Sequence, residues 1–223
     1  GNVYEGDWLN DMKMGSGTFK DVNGDTYVGD WVNDFRHGRG KITYSNGDNY
    51  EGDWVDDVKE GQGVEIFIAD GVTYSGQFKS GLFHGRGEYK SKIGDLYNGD
   101  WSSGKQDGQG IYKSSIGDKY EGSWKNGMKH GKGKYEFVDG SIYNGEWEND
   151  NINGDGKYTF SDGSICKGSF LNGKVNGQGT YDYVNGDKYE GLFSVGKRDG
   201  MGTCTYSNGD VYTGEWKNDQ ING

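Results

Sequence analysis

The sequence contains no proline, two cysteines and three histidines in 223 residues. Without proline, no β-ladder along the chain would be interrupted. Two cysteines are too few for a disulfide framework, and none of the asparagines begins an Asn-x-Ser/Thr sequon, which fits a reducing compartment. The sequence has neither a secretion signal nor an apolar run long enough to cross a membrane as a helix. These absences predict a cytoplasmic protein.

Aliphatic side chains are also scarce. Leu, Ile, Val and Phe together number 37, and the formal net charge is −11, a combination that is typical of disordered chains. Disordered chains are poor in aromatic residues, however, whereas this one has 7 Trp, 17 Tyr and 9 Phe. Each buried ring removes a large apolar area from water. The sequence therefore predicts a folded chain with an aromatic core.

The aromatic residues recur with a fixed period. "YEGDW" at residues 4–8 returns unchanged at 50–54, and the tyrosines of this motif are 23 residues apart, with one step of 24. Such a period is typical of a repeat architecture. The first column consists of Tyr4, Tyr27, Tyr50, Tyr74, Tyr97, Tyr120, Tyr143, Cys166, Tyr189 and Tyr212. The column four residues later consists of Trp8, Trp31, Trp54, Phe78, Trp101, Trp124, Trp147, Phe170, Phe193 and Trp216.

Residue spacing predicts strands. Tyr27, Gly29 and Trp31 are two residues apart, which places them on one face of an extended strand, and a Gly-x-Gly motif (38–40) begins a second strand. We expect a six-residue loop (32–37) within each hairpin and a tight turn such as 46–47 between hairpins. Glycine would leave room for a ring on a neighbouring strand. The predicted fold is all-β, an elongated antiparallel array of about nine stacked 23-residue β-hairpins with about nineteen strands.

Three stretches of this pattern, "YEGDWVDDVKEGQGVEIF" (50–67), "YEGSWKNGMKHGKGKYEF" (120–137) and "YNGEWENDNINGDGKYTF" (143–160), resemble the MORN (membrane occupation and recognition nexus) repeat. The pattern of that family is Tyr-x-Gly-x-Trp, a short loop with Asn-Gly, then Gly-x-Gly, and it covers essentially the whole chain. The resemblance implies a MORN-repeat rod with a role in scaffolding or recruitment rather than in chemistry. We expect one array over residues 1–223, with nine complete repeats and a truncated tenth, that is a segment of a longer array.

The sequence offers no catalytic constellation. Gly-x-Gly could cradle a phosphate only in front of a helix, and strand-forming residues follow every copy. His37, His84 and His130 share one column, but about four strand spacings, roughly 19 Å, separate those that are two repeats apart, too far for one metal ion. The outward carboxylates are interpreted as solubilising surface charges: Asp7, Asp30, Asp53 and Asp100. We therefore predict no enzyme activity, no cofactor, no metal site and no nucleic-acid partner.

Three classes of function fit this composition. The first is a scaffold that homodimerises and binds protein partners at a membrane-associated cytoskeleton, beneath a membrane. The second is a phospholipid-headgroup-binding module for membrane targeting, with candidate contacts at Arg36, Arg39, Arg86, Lys129 and Lys132; because anionic membranes attract basic surfaces, the net charge of −11 predicts weak or no bilayer binding. The third is a regulatory array of an enzyme that lies outside these residues.

The last strand is the candidate site of self-association. Residues 211–216, "VYTGEW", contain neither proline nor lysine, the residues that commonly blunt an edge strand. Two copies related by a two-fold axis could cover each other's edges. The sequence thus predicts a homodimer through the last two repeats. Packing would come from Tyr189, Phe193, Tyr206, Tyr212 and Trp216, and the alternative is that these rings only complete the intrachain core.

Overall fold

The computed structural model describes residues 1–222, which form antiparallel strands and turns. The chain divides into two units, Gly1–Ser115 and Ile116–Gly223. The strands of the first unit are β1 (Val3–Leu9), β2 (Met12–Lys20), β3 (Thr26–Val32), β4 (Phe35–Thr43), β5 (Asn49–Val55), β6 (Val58–Phe67), β7 (Val72–Lys79), β8 (Leu82–Lys90), β9 (Leu96–Ser102) and β10 (Lys105–Lys113). Within this unit each strand pairs with the next one along the chain.

The second unit repeats the same meander. Its strands are β11 (Lys119–Lys125), β12 (Met128–Glu136), β13 (Ile142–Glu148), β14 (Asn151–Thr159), β15 (Ile165–Leu171), β16 (Lys174–Asp182), β17 (Lys188–Ser194), β18 (Lys197–Thr205), β19 (Val211–Lys217) and the two-residue β20 (Gln220–Ile221). Consecutive strands again pair antiparallel. The predicted all-β array of 23-residue hairpins is confirmed.

The connection inside each hairpin is shorter than the sequence predicts. Only Asn33 and Asp34 lie between β3 and β4, with φ values of 47° and 72°, the geometry of a type I′ turn. The prediction of a six-residue loop over residues 32–37 is therefore wrong. The misassignment arose because a β-bulge shifts the register after Gly29, where the pairing passes from Gly29–Gly40 to Asp30–His37.

The connections between hairpins are loops of five residues, or of four after β6 (68–71), rather than two-residue turns. In the loop after β4, the Tyr44 N–H donates to the Asp48 carbonyl oxygen at 2.8 Å and the Gly47 N–H to the Tyr44 carbonyl oxygen at 2.9 Å. The same loop is tied to the next one, because the Ile68 N–H donates to Asp48 Oδ1 at 2.7 Å. Asn-Gly occurs in turns within hairpins and in loops between hairpins, and its glycine has a positive φ in both, as at Gly127 and Gly47. The dipeptide therefore does not by itself predict the length of the connection.

Each tyrosine of the first column from Tyr4 to Tyr189 covers a pair of glycines. The ring of Tyr27 lies over Gly29 and Gly40, and a Cβ built on Gly29 would come within 2.5 Å of the Gly40 Cα and 2.6 Å of the Tyr27 hydroxyl. That hydroxyl donates to the Asp30 carbonyl oxygen at 3.1 Å, beside the bulge. The prediction that glycines make room for rings is confirmed, and the glycines also let the two backbones approach closely.

The second column joins one repeat to the one before it. Trp54 Nε1 donates to the Gly40 carbonyl oxygen at 3.1 Å, and the Trp54 ring meets the Tyr27 ring edge to face, with centroids 5.6 Å apart at 89°. Trp54 also meets Tyr50 of its own repeat at 5.1 Å and 85°. Such edge-to-face pairs are favourable beyond the area they bury. Trp54 therefore stabilises two repeats at once.

The repeat with Cys166 fills the space of the missing ring differently. The thiol is buried, and the Val175 side chain, which is 6% exposed, lies near the glycine pair instead. A Cβ built on Gly179 would meet the Lys167 carbonyl oxygen at 2.8 Å and Val175 Cγ2 at 3.1 Å. The glycine pair of this repeat is therefore covered less closely than the others.

We predict that Gly40→Ala destabilises the fold much more than Gly179→Ala does. The two glycines occupy equivalent positions, but the new methyl group would overlap three atoms of the Tyr27 side chain at Gly40, whereas at Gly179 it would crowd the Lys167 carbonyl oxygen at 2.8 Å, Val175 at 3.1 Å and Phe193 at 3.3 Å. Overpacking of this kind costs about 1–3 kcal/mol. Urea unfolding followed by tryptophan fluorescence measures the difference, and equal midpoints for the two variants would contradict the covering role of the tyrosine.

Candidate binding surface

The face of each unit that carries the tyrosine and tryptophan columns, called the seam face below, also carries cations. Side chains two residues after the hairpin turn lie over the rings. Lys13 Nζ is 4.5 Å from the Trp31 ring centroid, and Arg36 Cζ is 4.3 Å from that of Trp54. In the second unit Lys129 Nζ lies 4.8 Å from the Tyr135 centroid. These distances are those of cation–π contacts.

Turn carboxylates of the following repeat hold the side chains of the arginines in this column. The backbone N–H and Nε of Arg36 both donate to Asp57 Oδ1, at 3.0 and 2.7 Å. Arg198 makes the same two contacts with Asp219 Oδ1, at 2.9 and 3.3 Å. The cation column is therefore part of the internal structure of the repeats, a role that the sequence analysis missed.

The five candidate headgroup residues do not form one basic row. Arg36 and Lys129 lie over rings of the seam face. Arg39 and Arg86 alternate with seam residues and point the other way, where Arg39 Nη1 lies 3.0 Å from Asp53 Oδ1 and Arg86 Nε lies 2.8 Å from Asp100 Oδ1. Lys132 is exposed. The structure thus distributes these charges over two faces and pairs most of them with carboxylates.

The aspartates between glycine and tryptophan have a structural role that the sequence interpretation did not assign. Asp53 Oδ2 accepts the Gln62 N–H at 2.8 Å, and Asp100 Oδ2 accepts the Gln109 N–H at 2.7 Å. Asp30 Oδ2 makes the equivalent contact with the Arg39 N–H at 3.1 Å. These N–H groups belong to the bulge residues, so the carboxylates stabilise the bulge as well as charging the surface.

The histidine column does not gather metal ligands. His37 Nδ1 is buried and lies 3.3 Å from Asp56 Oδ1. His130 Nδ1 is buried as well. Within residues 1–222, the structure brings no three His, Cys, Asp or Glu side chains together in a group that could hold a metal ion.

Burial controls the titration of the core groups. It raises the pKa of Tyr74 and of Tyr143 to about 12, so both hydroxyls remain protonated donors at neutral pH. It also raises the pKa of the Cys166 thiol to about 12, which removes the thiolate that a nucleophilic cysteine needs. Burial lowers the pKa of Lys129, against the opposing effect of the Asp150 carboxylate.

The predicted dimer residues differ in accessibility. Tyr189, Phe193 and Trp216 are 1%, 5% and 2% exposed and belong to the core of the second unit. Tyr206 and Tyr212 are half-buried. β20 pairs with β19 only at Trp216 and Lys217, and the described residues provide no strand that pairs with Val211–Gly214 on the side away from β18.

A ladder of six aromatic rings follows the seam face of the second unit. The rings come in pairs at the ends of successive second strands, in "YEF" (135–137), "YTF" (158–160) and "YDY" (181–183). The centroid distances are 4.5 Å for the first pair, 4.6 Å for the second and 4.2 Å for the third. The distances between neighbouring pairs are 5.7 and 5.5 Å. All six rings are half-buried: Tyr135, Phe137, Tyr158, Phe160, Tyr181 and Tyr183.

This aromatic ladder was not among the features predicted from the sequence. Its signal is an aromatic residue, any residue, then a second aromatic residue, in three consecutive repeats. The first unit has no such run, since the equivalent pairs include Asp21, Ser91 and Ser114. The ladder is therefore specific to part of the array rather than a feature of every repeat.

The family model described as "MORN repeat" matches ten consecutive segments of this chain. The matched residues are 4–26, 27–49, 50–69, 74–96, 97–119, 120–142, 143–165, 166–188, 189–211 and 212–223. The chain belongs to the MORN-repeat family. The MORN pattern covers nearly the whole sequence, and its repeat boundaries begin at the residues of the tyrosine column.

Comparison of this MORN-repeat chain with curated proteins found no match. Among solved structures, it resembles the TCP10 domain of Danio rerio CPAP in complex with a peptide of Danio rerio STIL. The identity is 12%, the match covers 96% of this chain and 94% of that one, and the TM-score is 0.53. The Drosophila melanogaster SAS-4 (dCPAP) TCP domain, in complex with a proline-rich motif of Ana2 (dSTIL), is 13% identical over 91% of this chain and 85% of that one, with a TM-score of 0.31. At this identity the first likeness concerns the fold alone.

The structure has no helix in residues 1–222, and hence none that is long and apolar enough to span a bilayer. Most ionisable groups described above take part in cation–π contacts, turns or bulges. What the seam face leaves partly accessible to solvent is the surface of its half-buried aromatic rings. MORN arrays of this kind serve as protein-interaction or membrane-associated modules.

Proposed function

We propose that this chain is a non-catalytic assembly module that binds protein partners on its seam face. The observation that carries the proposal is the row of half-buried rings on that face, which leaves apolar surface accessible. Exposed apolar surface rimmed by polar residues is characteristic of interaction sites. The TCP10 domain, which shares the fold, was solved with a peptide of STIL, and this supports a peptide as the kind of partner.

The finer parts of the proposal concern assembly and location. We place the module in the cytoplasm at a membrane-associated cytoskeleton, as a homodimer formed through the C-terminal repeats. The half-buried Tyr206 and Tyr212 and the unpaired side of β19 support the dimer. A regulatory array of an enzyme outside these residues would use the same seam face, so the binding proposal does not depend on which of the two contexts applies.

A display selection with random peptides tests the binding function. We expect peptides to be enriched on the wild-type chain and to lose at least tenfold in affinity on Phe19→Ala or on Phe160→Ala, because truncating an aromatic anchor removes much of the binding free energy. Val64→Ala, on the opposite face, is the matched control and should bind normally. If no peptide is enriched, or if neither seam variant reduces binding, the function is not peptide recognition on this face.

The homodimer is tested by light scattering on the full chain. We expect a dimer at tens of micromolar and a monomer for the double variant Val211→Lys with Thr213→Lys, because lysine on an edge strand blocks pairing with a second strand. Glu190→Lys, on an inner strand, is the control and should remain dimeric. Deletion of residues 189–223 should also give a monomer, and a dimer that survives both changes would place the interface elsewhere.

Lipid-headgroup binding is the second candidate, and we propose that it is weak or absent at physiological salt. Its candidate residues are divided between two faces, and carboxylates lie beside Arg36, Arg39 and Arg86. Co-sedimentation with phosphoinositide vesicles should leave the chain in the supernatant. Robust sedimentation that is abolished by Arg39→Glu with Lys132→Glu would instead make membrane targeting the main function.

A further inference from the structure

The position two residues after the turn distinguishes the middle of the aromatic ladder from its two ends. At the ends a cation occupies this position and lies over the rings, namely Lys129 and Arg198. In the two repeats between them, that position is occupied by Ile152 and Val175. The middle of the ladder therefore has apolar side chains in place of its internal cations.

Carboxylates remain beside the same rings. The Tyr135 hydroxyl donates to Asp118 Oδ2 at 2.9 Å. The charge of Asp139 contributes to the raised pKa of Tyr158, and that of Asp162 contributes to the raised pKa of Tyr181, in both cases after the larger effect of burial. The rings thus lie near carboxylates, and two of the repeats have no cation two residues after the turn, because Ile152 and Val175 occupy that position. A cationic ligand would complement this environment.

Depressions continue the ladder at both of its ends. One cavity, of about 280 Å³, is lined by Tyr135, Phe137 and Ile152 among others. Another, of about 550 Å³, is lined by Tyr183 and Tyr206 among others. An extended ligand that runs along the ladder, across the strands, could therefore enter a depression at each end.

The spacing of the repeats selects one backbone conformation for such a ligand. Successive repeats are two strands apart, or about 9.6 Å at about 4.8 Å per strand. A polyproline II helix rises 3.1 Å per residue with three residues per turn, and so advances about 9.3 Å per turn. Every third residue would therefore meet an equivalent position in the next repeat. A β-strand has a two-residue period, about 6.7 Å, and an α-helix has a pitch of about 5.4 Å, so neither matches.

We propose that the aromatic ladder binds a proline-rich peptide in the polyproline II conformation that carries a cationic side chain at every third position. The prolines pack on the half-buried rings, as polyproline II ligands do in aromatic-lined grooves. The cationic side chains lie over the rings at Ile152 and Val175, where the chain supplies no cation of its own. This inference rests on the proposed binding function and names the partner's chemistry.

The test measures binding of three synthetic peptides to the full chain by fluorescence anisotropy. The first is three repeats of Arg-Pro-Pro, which we expect to bind saturably. The second replaces arginine by glutamate and should not bind. The third, three repeats of Arg-Gly-Ser, has the same charge but no polyproline II preference, and should bind at least tenfold more weakly.

Two variants locate the site without relying on one substitution. Phe160→Ala removes a central ring and should weaken Arg-Pro-Pro binding at least tenfold, whereas Phe35→Ala, an equivalent truncation of an exposed ring in the first unit, should leave it within twofold. Ile152→Lys keeps every ring and introduces the residue type found at this position in other repeats. It should also abolish binding, because its ammonium group would take the place of the ligand cation. Unchanged thermal unfolding shows that each variant is folded.

The results separate this inference from the broader function. Failure of the Arg-Pro-Pro peptide to bind at millimolar concentration overturns it, as does equal affinity of the Arg-Gly-Ser peptide or wild-type affinity of both Phe160→Ala and Ile152→Lys. If the display selection enriches peptides without proline whose binding depends on Phe160, the seam face is a binding surface but its ligand is of another class.

Discussion

The close contact between a tyrosine ring and a pair of facing glycines determines the rest of this structure. A ring can lie flat over two adjacent strands only where both lack a side chain, and the register places Gly29 opposite Gly40 as this requires. The Tyr27 hydroxyl then reaches the Asp30 carbonyl oxygen beside the bulge. One side chain thus covers two backbones and satisfies a backbone acceptor. A residue of any other type at either glycine would separate the ring from the sheet.

The tryptophan links each repeat to the one before it. Its indole N–H reaches the carbonyl oxygen of the second glycine of the preceding repeat, in the first unit at Gly17, Gly40 and Gly87. That carbonyl group is accessible to the ring because the glycine beneath it has no side chain. Stability is therefore shared between neighbours, as nearest-neighbour models of repeat proteins assume. Phenylalanine at 78 or 170 keeps the edge-to-face packing on the tyrosine of the preceding repeat but cannot donate this hydrogen bond.

Features that depend on the repeat period could be predicted from the sequence, whereas features that depend on local backbone geometry, such as the turn lengths, could not. The 23-residue period and the alternation of rings and glycines were sufficient for the strands, the antiparallel pairing and the core. The turn lengths were assigned wrongly because the bulge at Gly38 breaks the two-residue alternation within β4. The role of Asp53 was missed for the same reason, since its carboxylate binds an N–H that only the bulge leaves free. The pattern of aromatic pairs was present in the sequence, but its ring-to-ring contacts arise only when three repeats stack.

Recurring columns of tyrosine, glycine and tryptophan build such an array, so the repeats differ at positions where the packing tolerates a change. The position two residues after the turn is one of these, since it holds Lys13, Arg36, Phe83, Ile152 or Val175 in repeats with nearly the same backbone. Where the residue is cationic, it lies over rings of its own repeat and of the next one, and where it is arginine a turn carboxylate also holds its side chain. Where it is apolar, the rings keep their negative surroundings and the surface stays free of an internal cation. A single column can thus divide the seam face of a unit into segments whose rings are covered by an internal cation and segments whose rings are not, without any change in the fold.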